Sequence, residues 1–187
     1  MYRFLRPALF RLDAERAHGL GMGAVALGSL APGVVRALYR GADDPRLAQT
    51  LWGLQFRAPL GLAAGFDKNA RGIGVWDALG FGFAEVGSVT AQPSDGNPPP
   101  RAFRLPDDRA LINRMGLNND GAERIAARLG QTDWPSEFIV AVNVAKTHDP
   151  AILGEAGVED FRASVRLVLP HANLLVLNVS CPNTAEG

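Results

Sequence analysis

The sequence predicts an α/β protein: about the first four βα units of a (β/α)8 barrel of the TIM type, preceded by an N-terminal helical pair. Three observations lead there. Four continuous apolar runs each end in small or polar residues, helical segments fall between them, and the polar residues cluster at the C-terminal ends of the runs.

The runs are Pro59–Gly65, Phe83–Thr90, Phe138–Val144 and Leu174–Ser180. Apolar stretches of this length suit strands buried on both faces, as in a parallel sheet. Between them, Ala70–Leu79, Asp120–Leu129 and Val158–Leu169 read as helices, and strand–helix alternation argues for βα units. A doubly wound sheet fits the alternation as well as a barrel does. The strand ends favour the barrel, because Lys68, Ser88, Asn143, Asn178 and Asn183 lie at or just after them, where barrel enzymes carry their sites. A doubly wound dinucleotide site would instead place G-x-G-x-x-G after its first strand. Gly61-x-x-x-Gly65 does not match.

Residues 1 to about 40 read as two short helices. Phe4, Leu5, Ala8, Leu9 and Leu12 recur at helical spacing beside Arg3, Arg6 and Arg11. Asp13 is a candidate N-cap for the second helix, which runs through His18, Met22 and Leu27 and fails near Ala31-Pro32-Gly33. This region is either a helical hairpin packed on the main domain or an amphipathic platform whose basic residues meet anionic headgroups. A spanning helix is not expected. Gly19 to Val35 is uncharged but rich in glycine, and falls short of the roughly 20 apolar residues that a span requires. Nor does the N-terminus read as a signal peptide, since Arg11, Asp13, Glu15 and Arg16 interrupt any apolar stretch.

After the helices, Leu51–Pro59 has the texture of a short hairpin. Gln92 to Leu117 is too long for a plain βα loop; its Asn97-Pro98-Pro99-Pro100 run must be extended, and a small extra hairpin over the strand ends follows. The division expected is thus residues 1–40 as a helical region and 41–187 as the first half of a barrel. A full barrel needs eight units and typically about 250 residues. The sequence closes directly after its fourth strand, without the following helix, and reads as an interrupted chain.

Composition narrows the function. The 187 residues are 47% hydrophobic and 20% charged, with 19 basic and 19 acidic side chains and a formal net charge of zero. That balance offers no basic surface for nucleic acid. Cys181 is the only cysteine, so an internal disulfide and a thiolate metal cluster are both excluded; a reducing, cytosol-facing compartment and no metal are expected.

Five clusters carry a resemblance. They are Asp13-Ala14-Glu15-Arg16-Ala17-His18; Gly61 to Lys68; Glu85 to Thr90; Arg101 to Pro106 running on to Asn113-Arg114-Met115-Gly116-Leu117-Asn118; and Asn178-Val179-Ser180-Cys181-Pro182-Asn183-Thr184. In this order and spacing the chain resembles the class 2, quinone-dependent dihydroorotate dehydrogenases, with the match covering nearly all of it. The resemblance implies oxidation of dihydroorotate to orotate in UMP synthesis, FMN as hydride acceptor, and a membrane quinone as final acceptor. It also implies a peripheral place on the cytoplasmic side of the cell membrane. Ala64, Gly65, Phe66, Asp67, Lys68, Ser88, Asn143 and Asn178 would contact FMN. Lys68, Asn113, Arg114, Met115, Gly116, Leu117, Asn178 and Asn183 would contact substrate, and His18 and Arg104 the quinone.

The residues themselves fit that chemistry. Ala63-Ala64-Gly65 at a strand end permits close backbone approach to a flat ring. A ring with imide carbonyls, N–H groups and a carboxylate calls for two-way amide side chains and a cation. Each of these residues could equally serve a loop or cap a helix. His148 and His171 match none of the clusters and read as packed, satisfied histidines.

Cys181 is a departure, since class 2 enzymes typically carry serine there and cysteine marks the soluble class 1 enzymes. In the implied reaction this side chain takes the C5 proton while hydride leaves C6. A thiol, with a usual pKa of about 8.5, is a competent base. Two alternatives stay open: a class 1-like enzyme with a soluble acceptor, and an inactive fragment lacking the second half of the barrel.

Overall fold

The structure, a computed structural model, describes residues 2–39 and 44–180. Three helices come first: α1 (Tyr2–Leu9), α2 (Ala14–Gly28) and α3 (Pro32–Leu38). Asp13 caps α2 as expected, accepting from the backbone N–H groups of Glu15 and Arg16 at 2.9 and 3.1 Å. The expected helical pair is corrected to three helices. α2 stops at Gly28, and Pro32 starts a new helix because a proline in the first turn loses no intrahelical bond. No single helix among the described residues is long and apolar enough to cross a membrane. α2 and α3 reach that length and composition only as a pair, bent by 106° at their junction.

A hairpin of β1 (Gln49–Leu51) and β2 (Leu54–Phe56) leads into the βα units, beginning two residues ahead of its expected place. β3 (Gly61–Leu62) and α4 (Ile73–Ala78) form the first unit, β4 (Phe83–Val89) and α5 (Ala122–Gly130) the second, and β7 (Ile139–Ala145) and α6 (Glu155–Val168) the third, with β8 (Leu174–Asn178) closing the series. Between β4 and α5 lies the expected extra hairpin, β5 (Ala102–Leu105) with β6 (Ala110–Asn113).

β3 is far shorter than the run that announced it. The chain leaves the sheet at Ala64, and Gly65 adopts φ +95°, a conformation that favours glycine. Its N–H crosses to the Gly87 carbonyl at 2.8 Å, so the segment lies against the end of β4 without pairing along it.

The sheet runs β3-β4-β7-β8, parallel throughout, each strand beside its sequence neighbour. That unbroken order is the one a barrel uses; a doubly wound sheet would reverse direction. Every residue of β7 is buried. Ala84, Val86, Val140, Val142 and Val144 pack against Ile73 and Trp76 of α4, Ile125 and Leu129 of α5 and Val168 of α6. Because strand side chains alternate, Glu85 and Asn143 project from the opposite face. Among the described residues the outer edges of β3 and β8 meet no further strand, and Leu177 and Val179 beside the second edge are exposed.

Candidate active site

The C-terminal ends of the strands bring together side chains far apart in sequence. The Asn178 side-chain amide at the end of β8 donates to Ser88 Oγ at 3.1 Å. Ser88 at the end of β4 donates in turn to Asn143 Oδ1 of β7. Asn143 Nδ2 then reaches Glu85 Oε1 at 2.7 Å, back on β4. Ser88 and Asn143 are buried and Asn178 is half-buried, so this chain of bonds holds the amides in fixed orientations at the mouth of the sheet.

The segment from Ala64 to Lys68 passes beside it. A side chain at Gly65 would project into open space, which leaves the backbone there approachable. Asp67 points the other way. Fully buried, its carboxylate accepts from the N–H groups of Arg71 and Gly72, both at 2.8 Å, and from the Trp76 indole at 2.9 Å. It anchors the loop before α4, and only its backbone lies in line with its neighbours.

Lys68 is half-buried, and its ammonium donates to Asn118 Oδ1 at 2.8 Å. No carboxylate among the described residues pairs with it. Burial pushes its pKa below the ordinary lysine range, the Arg101 guanidinium pushes the same way, and Glu15 opposes them.

The insertion returns over these groups. Asn113 closes β6, with its Oδ1 accepting from Met115 N–H at 3.4 Å. Arg114 is turned back on its own loop, donating through Nη2 to the Pro100 carbonyl at 3.0 Å. Asn97 N–H bonds the Met115 carbonyl at 3.0 Å, and Gly116 and Leu117 both take positive φ, +72° and +58°. Asn118 and the buried Asn119 follow. Asn119 donates to Thr90 Oγ1 at 2.8 Å and accepts from Gly121 N–H at 2.9 Å, fixing where the loop rejoins the body.

On the far side, α2 lays His18 edge-on against Phe66 with ring centroids 4.9 Å apart, and Phe66 in turn meets Trp76 at 5.7 Å. Burial first, and then the Lys68 charge, lowers the His18 pKa. Arg104 of β5 donates to the Leu12 carbonyl at 2.7 Å and lies 4.8 Å from the centre of the Phe10 ring. His18 thus joins the Ala64–Lys68 segment, whereas Arg104 holds the turn between α1 and α2. Cys181 and Asn183 fall outside the described residues.

Sequence reasoning assigned no role to Glu85, Asn118, Asn119 or the Glu15–Arg101 ion pair. In that pair Arg101 Nη2 lies 2.6 Å from the Glu15 carboxylate and joins α2 to the insertion. All but Asn119, which directly follows the fourth cluster, lie inside the recognised clusters, but their pairings span up to 86 residues and carry no local signal. Among the described residues no group of three or more His, Cys, Asp or Glu side chains is placed to hold a metal ion.

Comparison with known proteins agrees with this architecture. The sequence model of the family described as dihydroorotate dehydrogenase matches residues 46–187. The chain is 52% identical over 187 residues to a dihydroorotate dehydrogenase (quinone) of Mycobacterium marinum (strain ATCC BAA-535 / M), covering 98% of this chain and 51% of the relative. The counterpart from Mycobacterium tuberculosis (strain ATCC 25618 / H37Rv) is also 52% identical, over 188 residues, with the same coverage. The chain therefore spans about half the length of the curated relatives it matches. A crystal structure of DHODH from Eimeria tenella in complex with ferulenol superposes with a TM-score of 0.80 at 39% identity, over 92% of this chain and 45% of that one. The ligand-free type from the same organism gives 0.77 at the same identity, over 92% and 47%. With its partial parallel barrel, its strand-end cluster and the match over residues 46–187, the chain belongs to the dihydroorotate dehydrogenase family.

Proposed function

We propose that the protein oxidises dihydroorotate to orotate in pyrimidine synthesis, with FMN as hydride acceptor and a membrane quinone as final electron acceptor. The observation that carries this reading is Lys68, a half-buried cation at the strand ends whose hydrogen-bond partner is a neutral amide. A cation held that way favours an anion beside it, because pairing offsets the cost of its burial. The carboxylate of dihydroorotate supplies that anion, and the neighbouring Asn113–Leu117 segment and Asn178 supply hydrogen-bonding groups for the ring.

The residues present fit FMN. Open space beside Gly65 and a set of oriented amide and hydroxyl groups suit a flat ring edged with carbonyls and N–H groups. Ala64–Lys68, Ser88, Asn143 and Asn178 would hold it, and the group supplies a hydride acceptor when bound. Cys181, three residues beyond Asn178, takes the C5 proton of the substrate as its thiolate, and Asn183 binds the substrate ring. His18 and Arg104 face the quinone on the other side of the Phe66 segment.

Residues 1–40 form the quinone- and membrane-associated region, and 41–187 the flavin-binding part of the barrel. Exposed Phe4, Leu30 and Leu38 (85%, 82% and 82%) beside Arg3, Arg6 and Arg36 support a platform lying on the cytoplasmic face of the cell membrane. Replacing Leu30 and Leu38 together by Asp should release the full chain from sedimenting anionic vesicles. Undiminished sedimentation would place the contact elsewhere.

Orotate formation by a chain of the full length of its relatives tests the main reading. These 187 residues span only about half of that length and are expected to be inactive alone. Cys181→Ala should lower the rate at least about a hundredfold, and Cys181→Ser should need higher pH for the same rate. Near-normal turnover by Cys181→Ala across the pH range would move the base elsewhere. Absence of orotate formation with any acceptor would overturn the function. A second reading rests on Cys181 itself, which favours a soluble acceptor; faster turnover with fumarate or NAD than with a short-chain quinone would establish it.

A further inference from the structure

His148 sits three residues past the end of β7, half-buried, and its Nδ1 lies 3.1 Å from the Gly116 carbonyl. A carbonyl only accepts, so Nδ1 carries the hydrogen. The backbone that aims this ring is fastened on both sides. Thr147, buried next to it, donates its N–H and its hydroxyl to the two carboxylate oxygens of Asp160 on α6, at 2.8 and 2.7 Å. The same hydroxyl accepts from Gln92 N–H at 3.2 Å, at the start of the insertion. On the other side Asp149 N–H closes onto the Thr147 carbonyl at 2.8 Å.

The acceptor end is equally constrained. Gly116 is buried, with φ +72°, and a Cβ there would meet Asn97 N at 2.7 Å. Its carbonyl accepts no other hydrogen bond among the described residues. The 113–117 segment is also bonded within its insertion, through Asn97 to Met115 and Arg114 and through Arg114 to Arg101, and its Leu117 carbonyl accepts from Asn119 Nδ2 at 2.7 Å. The His148 bond ties Gly116 to the β7–α6 loop, beside the Asn119 side chain that ties Leu117 to Thr90 at the end of β4.

We propose that His148 is a positioning residue. Its Nδ1–H, aimed by the Asp160–Thr147 clasp, holds the Gly116 carbonyl and thereby sets the 113–117 segment over the strand ends. Resting on the function proposed above, the inference adds that this bond fixes the substrate-facing segment from the β7–α6 loop.

Two measurements on the full chain test it. Nitrogen-15 spectra of the imidazole should show neutral His148 protonated at Nδ1, and protonation at Nε2 alone would overturn the assignment. Hydrogen–deuterium exchange across residues 113–118 should accelerate about tenfold in His148→Ala, the size expected for losing one such bond. His148→Asn, whose amide can place an N–H near the Nδ1 position, should recover most of that protection. Exchange unchanged in His148→Ala, or equally fast in both variants, would overturn the proposal. Adding orotate separates the two readings: in the wild type it should slow exchange of 113–118. If orotate changes exchange nowhere, the substrate reading fails, while the spectra and the variants still decide the tether.

Discussion

The N-terminal helices and the β4–β7 sheet core hold on to the molecule in opposite ways. β7 buries all of its residues, whereas α2 and α3 bury none. Their attachment rests on half-buried Met22, Val25 and Val35 and on a few polar fasteners: Glu15 to Arg101, Leu12 to Arg104, Ser29 to the Arg71 carbonyl, and Arg36 to Asp77. Burial stabilises in proportion to the apolar area removed from water, and polar fasteners contribute far less each. The difference teaches that the helical region is a docked element resting on a body with its own core. That is a suitable arrangement for a part whose exposed face is apolar.

The largest expected effect is in the core. Phe138→Ala removes a side chain that is 0% exposed and should cost about 3–5 kcal/mol in urea unfolding. Leu27→Ala on α2, where the side chain is 70% exposed, should stay within about 0.5 kcal/mol. Equal losses would erase the comparison. Asp77 sharpens it next, because this buried carboxylate joins the two regions. Arg57 Nη1 lies 2.8 Å from Asp77 Oδ1, close enough for an ion pair although Oδ1 receives no well-directed hydrogen bond, and Arg36 of α3 meets Oδ2. Arg57→Ala leaves the carboxylate short of its more buried partner and should cost about 3 kcal/mol. Arg36 is half-exposed, and Arg36→Ala should cost about 1 kcal/mol or less. The reverse order would mean that α3 belongs to the core.

The smallest effect concerns the docking of α2. Glu15→Gln weakens a part-buried charged pair and should raise protease cleavage within residues 10–30 while leaving the melting temperature nearly unchanged. Acid should act in the same direction. The Arg101 hydrogen bond holds the Glu15 carboxyl below its usual range, so its contribution is present above about pH 4.5 and lost as pH falls through the lowered value. The His18 pKa is also lowered, which means the docked state prefers the neutral ring. The undocked state therefore takes up the proton first, and docking weakens as pH falls below about 6.5. Protection factors across α2, corrected for the intrinsic pH dependence of exchange, that stay constant between pH 8 and pH 5 would remove His18 from this account.

Legibility followed the range of the physics involved. The four strands, the three helices after them, the β1–β2 hairpin and the insertion hairpin all follow from runs and turn residues read locally. The differences came where a neighbour in space decides, as at β3, and where one residue carries two local meanings, as at α3. β3 was expected over seven residues and keeps two, because Gly65 bonds across to Gly87. α3 was missed because Pro32 was read as an end, although a proline in a first turn serves equally as a beginning.

The site divides along the same line. Which residues stand at the strand ends was readable, since strand period and run length place Lys68, Ser88, Asn143 and Asn178 there without further information. What each side chain does there was not. Asp67 and Lys68 are adjacent in the chain, yet one turns inward to Arg71, Gly72 and Trp76 while the other reaches Asn118. His148 matched no cluster and still meets Gly116, 32 residues away. Local sterics and hydrophobic periodicity act over a few residues, so the sequence alone determined the order of elements and the positions of the polar groups. Hydrogen-bond partners 32 to 90 residues apart exist only once parallel strands have packed side by side, and so only the tertiary structure decided which groups face the site and which hold it in place.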